Sequence, residues 1–323
     1  MRRTTSVFGA LGAAFLLCLA LAGCPIRASY GSTITPIYAA TAGSGLYVYN
    51  GSSWTRYTTA NGLASDTVTS VVVSGSGSGA TVFVGTNNGV SAFNGSTWQT
   101  WSAANGLGAG GVNGLFLGAN LYAATAGGVS VDSYSSDYIS PTWTNDATAG
   151  ASSGVYVYGS YTYVAAGSLD IYNGTGSKTT IAATNIVPAS AKVTAVLVDS
   201  NQNIFAGTDK GLNYLASGSA AFTLSNAVTN TGSVNGLFLD NNDNLYVAGA
   251  AGLYIWNLSS GAFGAAIGGS AVLCVYVDGA GTIYAGTASG LEISKNGGSS
   301  WTTILTTATP VDCVVTTAPL YSF

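Results

Sequence analysis

The amino-acid sequence predicts an all-β protein: a seven-bladed β-propeller of four-stranded antiparallel blades, closed by a C-terminal strand that completes the first blade. Three observations carry this expectation. The 323 residues are 47% hydrophobic but only 6% charged, and include 45 Gly and 19 Tyr. A strand–turn–strand unit recurs seven times. A separate apolar run also occurs seven times, ahead of most of those units.

Composition removes several classes at once. A chain so poor in charge and so rich in apolar residues is not intrinsically disordered. Nor is it a bundle of solvated helices, whose outer faces need Glu, Lys and Arg. A formal charge of −4 supplies no basic footprint, so no nucleic-acid partner is expected. The chain has no His, which excludes Ser-His-Asp and Cys-His catalysis and every His-ligated metal site. No cofactor and no metal are expected.

The first 24 residues, MRRTTSVFGALGAAFLLCLALAGC, read as an address. Arg2 and Arg3 form a positive start, and Val7 to Ala22 is apolar but too short to cross a bilayer as a helix. The stretch ends in Leu21-Ala22-Gly23-Cys24, which resembles the lipobox of bacterial lipoproteins. That resemblance implies cleavage between Gly23 and Cys24 and acylation of Cys24, palmitate being a typical chain. Two or three acyl chains anchor a protein stably where one does not. The expected organisation is a signal peptide over 1–23, a lipidated Cys24 with a tether to residue 36, and the propeller over 37–323. The expected location is a bacterial cell envelope, with the membrane as partner through the lipid.

The seven units are IYAATAGSGLYVYNG (37–51), VFVGTNNGVSAFNG (82–95), LYAATAGGVSVD (121–132), TYVAAGSLDIYNG (162–174), IFAGTDKGLNYL (204–215), LYVAGAAGLYIWN (245–257) and IYAGTASGLEIS (283–294). Their leading aromatics, from Tyr38 through Phe83, Tyr122, Tyr163, Phe205 and Tyr246 to Tyr284, stand 38 to 45 residues apart. That period suits four-stranded propeller blades and is too long for leucine-rich repeats.

The apolar runs are SVVV (70–73), GLFL (114–117), GVYV (154–157), AVLV (195–198), GLFL (236–239), CVYV (274–277) and CVV (313–315). Strands covered on both faces read as continuous apolar stretches, as the innermost strand of a blade requires. The small residues that lead these runs, Ser70 to Cys313, are expected where blades crowd at the axis. Turns such as DSNQN (199–203), DNNDN (240–244) and DGAG (278–281) join inner to second strands, because Asn, Asp and Gly tolerate positive φ. The counts are out of phase. Ile37–Thr41 lacks an inner strand before it, and Val311–Thr316 lacks a blade after it, so the two are expected to pair. Residues 320–323 resemble another second strand and are expected to fold away from that place.

The segments YNGSSWTRYTTANGLASDTVTSV (49–71) and FNGSTWQTWSAANGLGAGGVNGL (93–115) resemble the two-component-regulator propeller repeat. In that family such repeats build sensory domains outside the membrane. The resemblance is close in two blades and loose in the rest. No kinase, transmembrane or DNA-binding segment accompanies it here, so signalling does not carry over. Ser294 to Trp301 (SKNGGSSW) resembles an Asp-box hairpin with Asn in place of Asp. That motif is structural in other propellers.

Chemical candidates are few. The tract GSGSGA (75–80) has dinucleotide-fingerprint spacing but runs into a strand rather than a helix, so it reads as a flexible hairpin. Asp240, Asn242, Asp243 and Asn244 offer oxygens of the kind Ca²⁺ takes, yet the equivalent turns read DSNQN and DGAG. A plain Asx hairpin is the expectation. Cys274 and Cys313 share one register in neighbouring blades. A disulfide between them is disfavoured, because equivalent side chains in a ring point the same way around it. Trp54, Trp98, Trp143 and Trp301 are expected as packing between blades, with Tyr57 and Trp101 edging toward the surface.

The expected ligand face lies at the axis, where turns between second and third strands meet the outer-to-inner connections. It includes Asp66, Asn87, Asn88, Asp209 and Lys210, with the loops 58–67 and 102–111. A neutral polar rim suits an uncharged glycan, a peptide or a protein partner. The leading expectation is therefore a lipid-anchored binding or interaction module, and no catalytic residues stand out. Two alternatives remain: a polysaccharide hydrolase or lyase using Asp residues near the axis, and a self-associating surface protein. An enzyme requires two carboxylates facing each other in the central cleft, whereas a binding module requires an apolar or aromatic pocket without them.

Overall fold

The computed structural model describes residues 35–75, 80–132, 142–174, 178–182, 191–219, 223–224 and 232–316. The expected signal peptide, Gly23 and Cys24, the tether up to residue 34, the Gly-Ser residues 76–79 and the tail 317–323 lie outside them. The propeller occupies the compact unit Ile34–Phe323.

Among the described residues, twenty-eight strands form seven four-stranded antiparallel sheets. The first blade joins Ile37–Thr41 (β1), Gly45–Tyr49 (β2) and Trp54–Tyr57 (β3) to Val311–Thr316 (β28). The second holds Val68–Ser74 (β4), Thr81–Thr86 (β5), Gly89–Phe93 (β6) and Trp98–Trp101 (β7). The third runs through Val112–Leu117 (β8), Leu121–Thr125 (β9), Gly128–Asp132 (β10) and Trp143–Asp146 (β11). Gly154–Tyr158 (β12), Tyr161–Ala166 (β13), Ser168–Asn173 (β14) and Lys178–Ile181 (β15) make the fourth. Val193–Val198 (β16), Ile204–Thr208 (β17), Gly211–Leu215 (β18) and Thr223–Leu224 (β19) make the fifth. The sixth holds Val234–Leu239 (β20), Asn244–Gly249 (β21), Gly252–Asn257 (β22) and Phe263–Gly268 (β23). The seventh holds Val272–Val277 (β24), Ile283–Thr287 (β25), Gly290–Ser294 (β26) and Thr302–Thr306 (β27).

The first blade is completed as the phase shift predicts. Strand β28 pairs antiparallel with β1, setting Tyr38 opposite Val315 and Ala39 opposite Val314. Each inner strand also touches the next, from β28 through β4, β8, β12, β16, β20 and β24 back to β28, so the ring is closed. The second strands are the most deeply buried elements, and β1, β5 and β17 are buried at every position.

The recurrent small-residue–Thr–turn–Gly pattern has a local cause. Thr41, Thr86, Thr125, Thr208 and Thr287 each donate a side-chain hydrogen bond to the carbonyl of the Gly that opens the third strand, at 2.7 to 3.1 Å. Each of these hydroxyls also accepts a turn N–H. The Gly is obligatory: at φ +126, a Cβ on Gly89 collides with the carbonyl of Trp101 on the outer strand.

Small residues open the apolar part of each inner strand because the blades converge there. A Cβ on Gly114 meets the Ser153 carbonyl at 3.4 Å, and one on Gly236 meets the Leu273 carbonyl at 3.5 Å, both on the next blade.

Candidate functional site

The upper face carries the turns between second and third strands together with the outer-to-inner connections. In loops 58–67 and 102–111, a single 3-10 turn at Thr59–Asn61 or Ala103–Asn105 is closed by a left-handed Gly, Gly62 or Gly106. Asn61 and Asn105 each accept the N–H of the capping residue, and Leu63 and Leu107 are buried behind them. Those contacts account for the Asn-Gly-Leu motif.

The sequence-predicted face residues lie here, and most are tied into joints between blades. The Asp66 carboxylate accepts Thr59 N–H at 2.6 Å, and Asn88 Nδ2 donates to the Ala64 carbonyl at 3.1 Å. Asn87 N–H donates to the Thr67 carbonyl, which brings Asp66, Asn87 and Asn88 together at one joint. Asp209 accepts Lys192 N–H at 2.8 Å, and its exposed contact with Lys210 is 4.0 Å long. This second group sits on the fifth blade.

A polar ring surrounds the upper mouth of the axis. Six of the seven inner strands begin with a register shift that leaves one residue bulged. In the ring, Thr69 donates to the Val112 carbonyl (2.6 Å), Asn113 to Ser152 (2.7 Å), Ser153 to Val193 (3.4 Å), Thr194 to Val234 (2.7 Å) and Asn235 to Val272 (2.9 Å). Each bond crosses to the following blade. Two positions depart from the pattern. Leu273 has no side-chain donor to offer, and the Cys274 thiol reaches the Val311 carbonyl instead, at 3.7 Å. Asp312 presents a half-buried carboxylate, and burial pushes its carboxyl above the usual aspartate range.

The axis opens differently at the lower face. A cavity of about 430 Å³ is lined there by Val72, Leu115, Phe116, Tyr156, Tyr276 and Val315, among others. The repeat explains its position. Opposite the leading aromatic of each second strand, the inner strands carry Val72, Phe116, Tyr156, Leu197, Phe238, Tyr276 and Val315. The two Val residues are in adjacent blades, so the axis is underfilled on that side. Two neighbouring pairs of the larger rings pack edge to face, Phe116 and Tyr156 centred 5.1 Å apart and Phe238 and Tyr276 5.2 Å apart.

The described cavity wall is mainly apolar and carries no charged side chain, its polar groups being the hydroxyls of Ser74, Thr316, Tyr156 and Tyr276. Tyr156 donates to the Val198 carbonyl at 3.3 Å, and burial holds its hydroxyl up at about 12. Thr316 donates to Tyr276 Oη at 3.3 Å, and burial raises that phenol too. Among the described residues, no carboxylate lines the cavity.

The remaining chemical candidates have structural placements. Asp199, Asp240 and Asp278 each accept two backbone N–H groups of their own turn, which is Asx-hairpin geometry. The Cys274 and Cys313 thiols are free, and each points to the following blade, Cys313 reaching the Val71 carbonyl at 3.8 Å. Trp54 and Trp301 donate to carbonyls of the preceding blade, at Ile304 and Ala266. Trp101 does not edge toward the surface. It is buried with Phe83, Leu107 and Trp143, because the third blade covers the end of β7. Tyr57 is half-buried against Phe93 and Trp98.

No protein-family model matches the chain, and no curated protein matches it. Solved structures do. The extracellular domain of a hybrid two-component system from B. thetaiotaomicron superposes with a TM-score of 0.62 at 14% identity, over 83% of this chain and 39% of that one. A second such domain, described as part of a one-component system from the same organism, gives a TM-score of 0.60 at 18% identity, over 75% of this chain and 35% of that one. The chain thus spans little more than a third of the length of either. At these identities the likeness establishes a shared propeller fold. Among the described residues, no helix is long and apolar enough to cross a membrane.

Proposed function

We propose that this chain is an exported, lipid-anchored propeller that works as a binding module, and that the lower axial cavity receives an uncharged ligand. The observation that carries the reading is that cavity: about 430 Å³, walled mainly by aliphatic and aromatic side chains with a few hydroxyls, and with no carboxylate among its described lining residues. Small-molecule and peptide-anchor sites have this size and character. The fold likeness to extracellular domains of sensor systems supports the same reading.

The ligand class is a neutral glycan or a peptide presenting an apolar group. A charged group entering the cavity loses hydration, and no ionic partner repays it. The same lack of a facing carboxylate pair disfavours a hydrolase or lyase at the axis. In the envelope, residues 1–23 act as the leader, Cys24 carries the lipid and residues 25–36 form the tether.

Arrays of neutral glycans and peptides test the binding, with soluble protein beginning after Cys24. The expected result is retention of a ligand that is lost in Val72→Trp, which fills the cavity from the underfilled side. Equal retention by the variant overturns the cavity as the site. Metabolic labelling with palmitate, lost in Cys24→Ser, tests the anchor.

A further inference from the structure

A repeat protein contains its own control: what all blades share serves the fold, and what one pair of blades alone carries needs another reason. The crevice between the fifth and sixth blades fails this comparison. The residue opposite each leading aromatic on the third strand is Val48, Ala92, Val131, Ile171, Ile255 or Ile293 in six blades. In the fifth it is Tyr214, opposite Phe205. The neighbouring blade faces it with Trp256, whose ring lies edge-on to Phe205 at 6.1 Å and to Tyr214 at 6.2 Å.

The same crevice also lacks a contact that its two following neighbours make. In the sixth and seventh blades the leading Tyr246 and Tyr284 send their hydroxyls to the turn carboxylates Asp240 and Asp278, at 3.1 and 3.0 Å. Phe205, like Phe83 of the second blade, has no hydroxyl, and here a cavity of about 260 Å³ is lined by Phe205, Tyr214 and Trp256. Its rim is polar. Asp243 accepts Ser259 Oγ at 2.7 Å through one carboxylate oxygen. The other oxygen has no partner among the described residues, nor does the exposed side chain of Asn201, which also lines the cavity.

We propose that this crevice is a second binding site, for the ring of a neutral pyranose sugar. Such a sugar has an apolar C–H face and an equatorial rim of hydroxyls. Half-buried Trp256 and Tyr214 supply the aromatic wall for the first. The Asp243 carboxylate and the Asn201 amide supply the acceptor and donor for the second. Hydrogen bonds to an ionised acceptor are the stronger kind, so Asp243 fixes the orientation. Sulfated or uronic sugars are repelled by the same carboxylate, and among the described residues no Lys or Arg lines the cavity to receive them. This proposal stands independently of the axial cavity.

The test is a titration of the full propeller with single neutral pyranoses at millimolar concentration (glucose, galactose, mannose, xylose and N-acetylglucosamine). Tryptophan fluorescence and saturation-transfer NMR are the readouts, and glucuronate and an alkylamine are run alongside. At least one neutral sugar binds saturably, and neither charged probe competes. Asp243→Asn weakens it about tenfold, the range expected for one charge-assisted hydrogen bond. Tyr214→Ile removes binding while leaving the fold intact, because it installs the side-chain type that other blades tolerate at that register. Phe205→Tyr adds the hydroxyl that the sixth and seventh blades carry at this register and also weakens binding. Val72→Trp at the axis leaves this site untouched, so failure of one site is separable from failure of the other. Absence of saturable binding by every sugar, unchanged affinity in Tyr214→Ile and Asp243→Asn, or preference for the alkylamine overturns the assignment.

Discussion

Replacing Asp312 by asparagine should stabilise the propeller. Five positions of the ring around the upper axis donate a side-chain hydrogen bond to the following blade, and the two Asn donors do so at 2.7 and 2.9 Å. Asp312 occupies the same place before Val68, but an ionised carboxylate has no hydrogen to give. The amide of Asp312→Asn restores one bond, a net gain of about 1 kcal/mol. In urea that moves the midpoint by about 0.3 M, for a slope of about 3 kcal/mol/M. The gain also depends on pH. Burial raises the Asp312 carboxyl in the folded chain, so the native state binds the proton more tightly than the unfolded state does. Wild-type stability from this group is therefore full below the ordinary aspartate range, and is lost as pH rises from there through the raised value. An amide titrates nowhere in that interval, and protonated Asp312 regains a donor. The advantage of Asp312→Asn is then largest near pH 7 and shrinks in acid. Urea unfolding followed by far-UV circular dichroism at neutral and acid pH measures both. A variant less stable than wild type at pH 7, or an advantage that grows in acid, refutes the ring argument.

Leu273→Asn installs a donor at the other gap, toward the Val311 carbonyl, and should also raise the midpoint by roughly 0.3 M urea. Lys178→Met leaves Asp170, 4% exposed and paired at 2.7 Å, as an uncompensated buried charge. It should cost about 3 kcal/mol, read as a fall in midpoint. Thr208→Val strips the Gly211 carbonyl and the Lys210 N–H of their shared partner and should cost about 2 kcal/mol, again read from the urea midpoint. Burial pushes the Cys313 thiol up to about 11 and Cys274 well above its ordinary value. Native protein at pH 8 should therefore resist alkylation, react at both thiols once unfolded, and show the same intact mass with and without a reductant.

Much of the architecture could be read from the chain because a propeller repeats its physics. The pitch from Tyr38 to Tyr284 marks the blades, and the Thr–turn–Gly signature marks the hairpins between second and third strands. The out-of-phase ends foretell that β28 joins β1. Sites were harder, since a cavity depends on volumes summed across blades rather than on any motif. Val72 and Val315 are ordinary core residues until their registers place them side by side at the axis. Tyr214 carried a usable signal: aligned by register, it is the one aromatic in a column of aliphatics. Trp101 misled because it lies at a strand end, and only the neighbouring blade's position buries it.

The join of β1 with β28 has a mechanical corollary. β1 lies between β2 and β28, held along both edges by antiparallel ladders whose bonds run across the strand. Tension applied at the amino-terminal end of β1 pulls along its length and loads both ladders in shear, many bonds at once. A head tugged from that end resists as a closed hoop, whereas a hairpin at the same place would peel open one rung at a time.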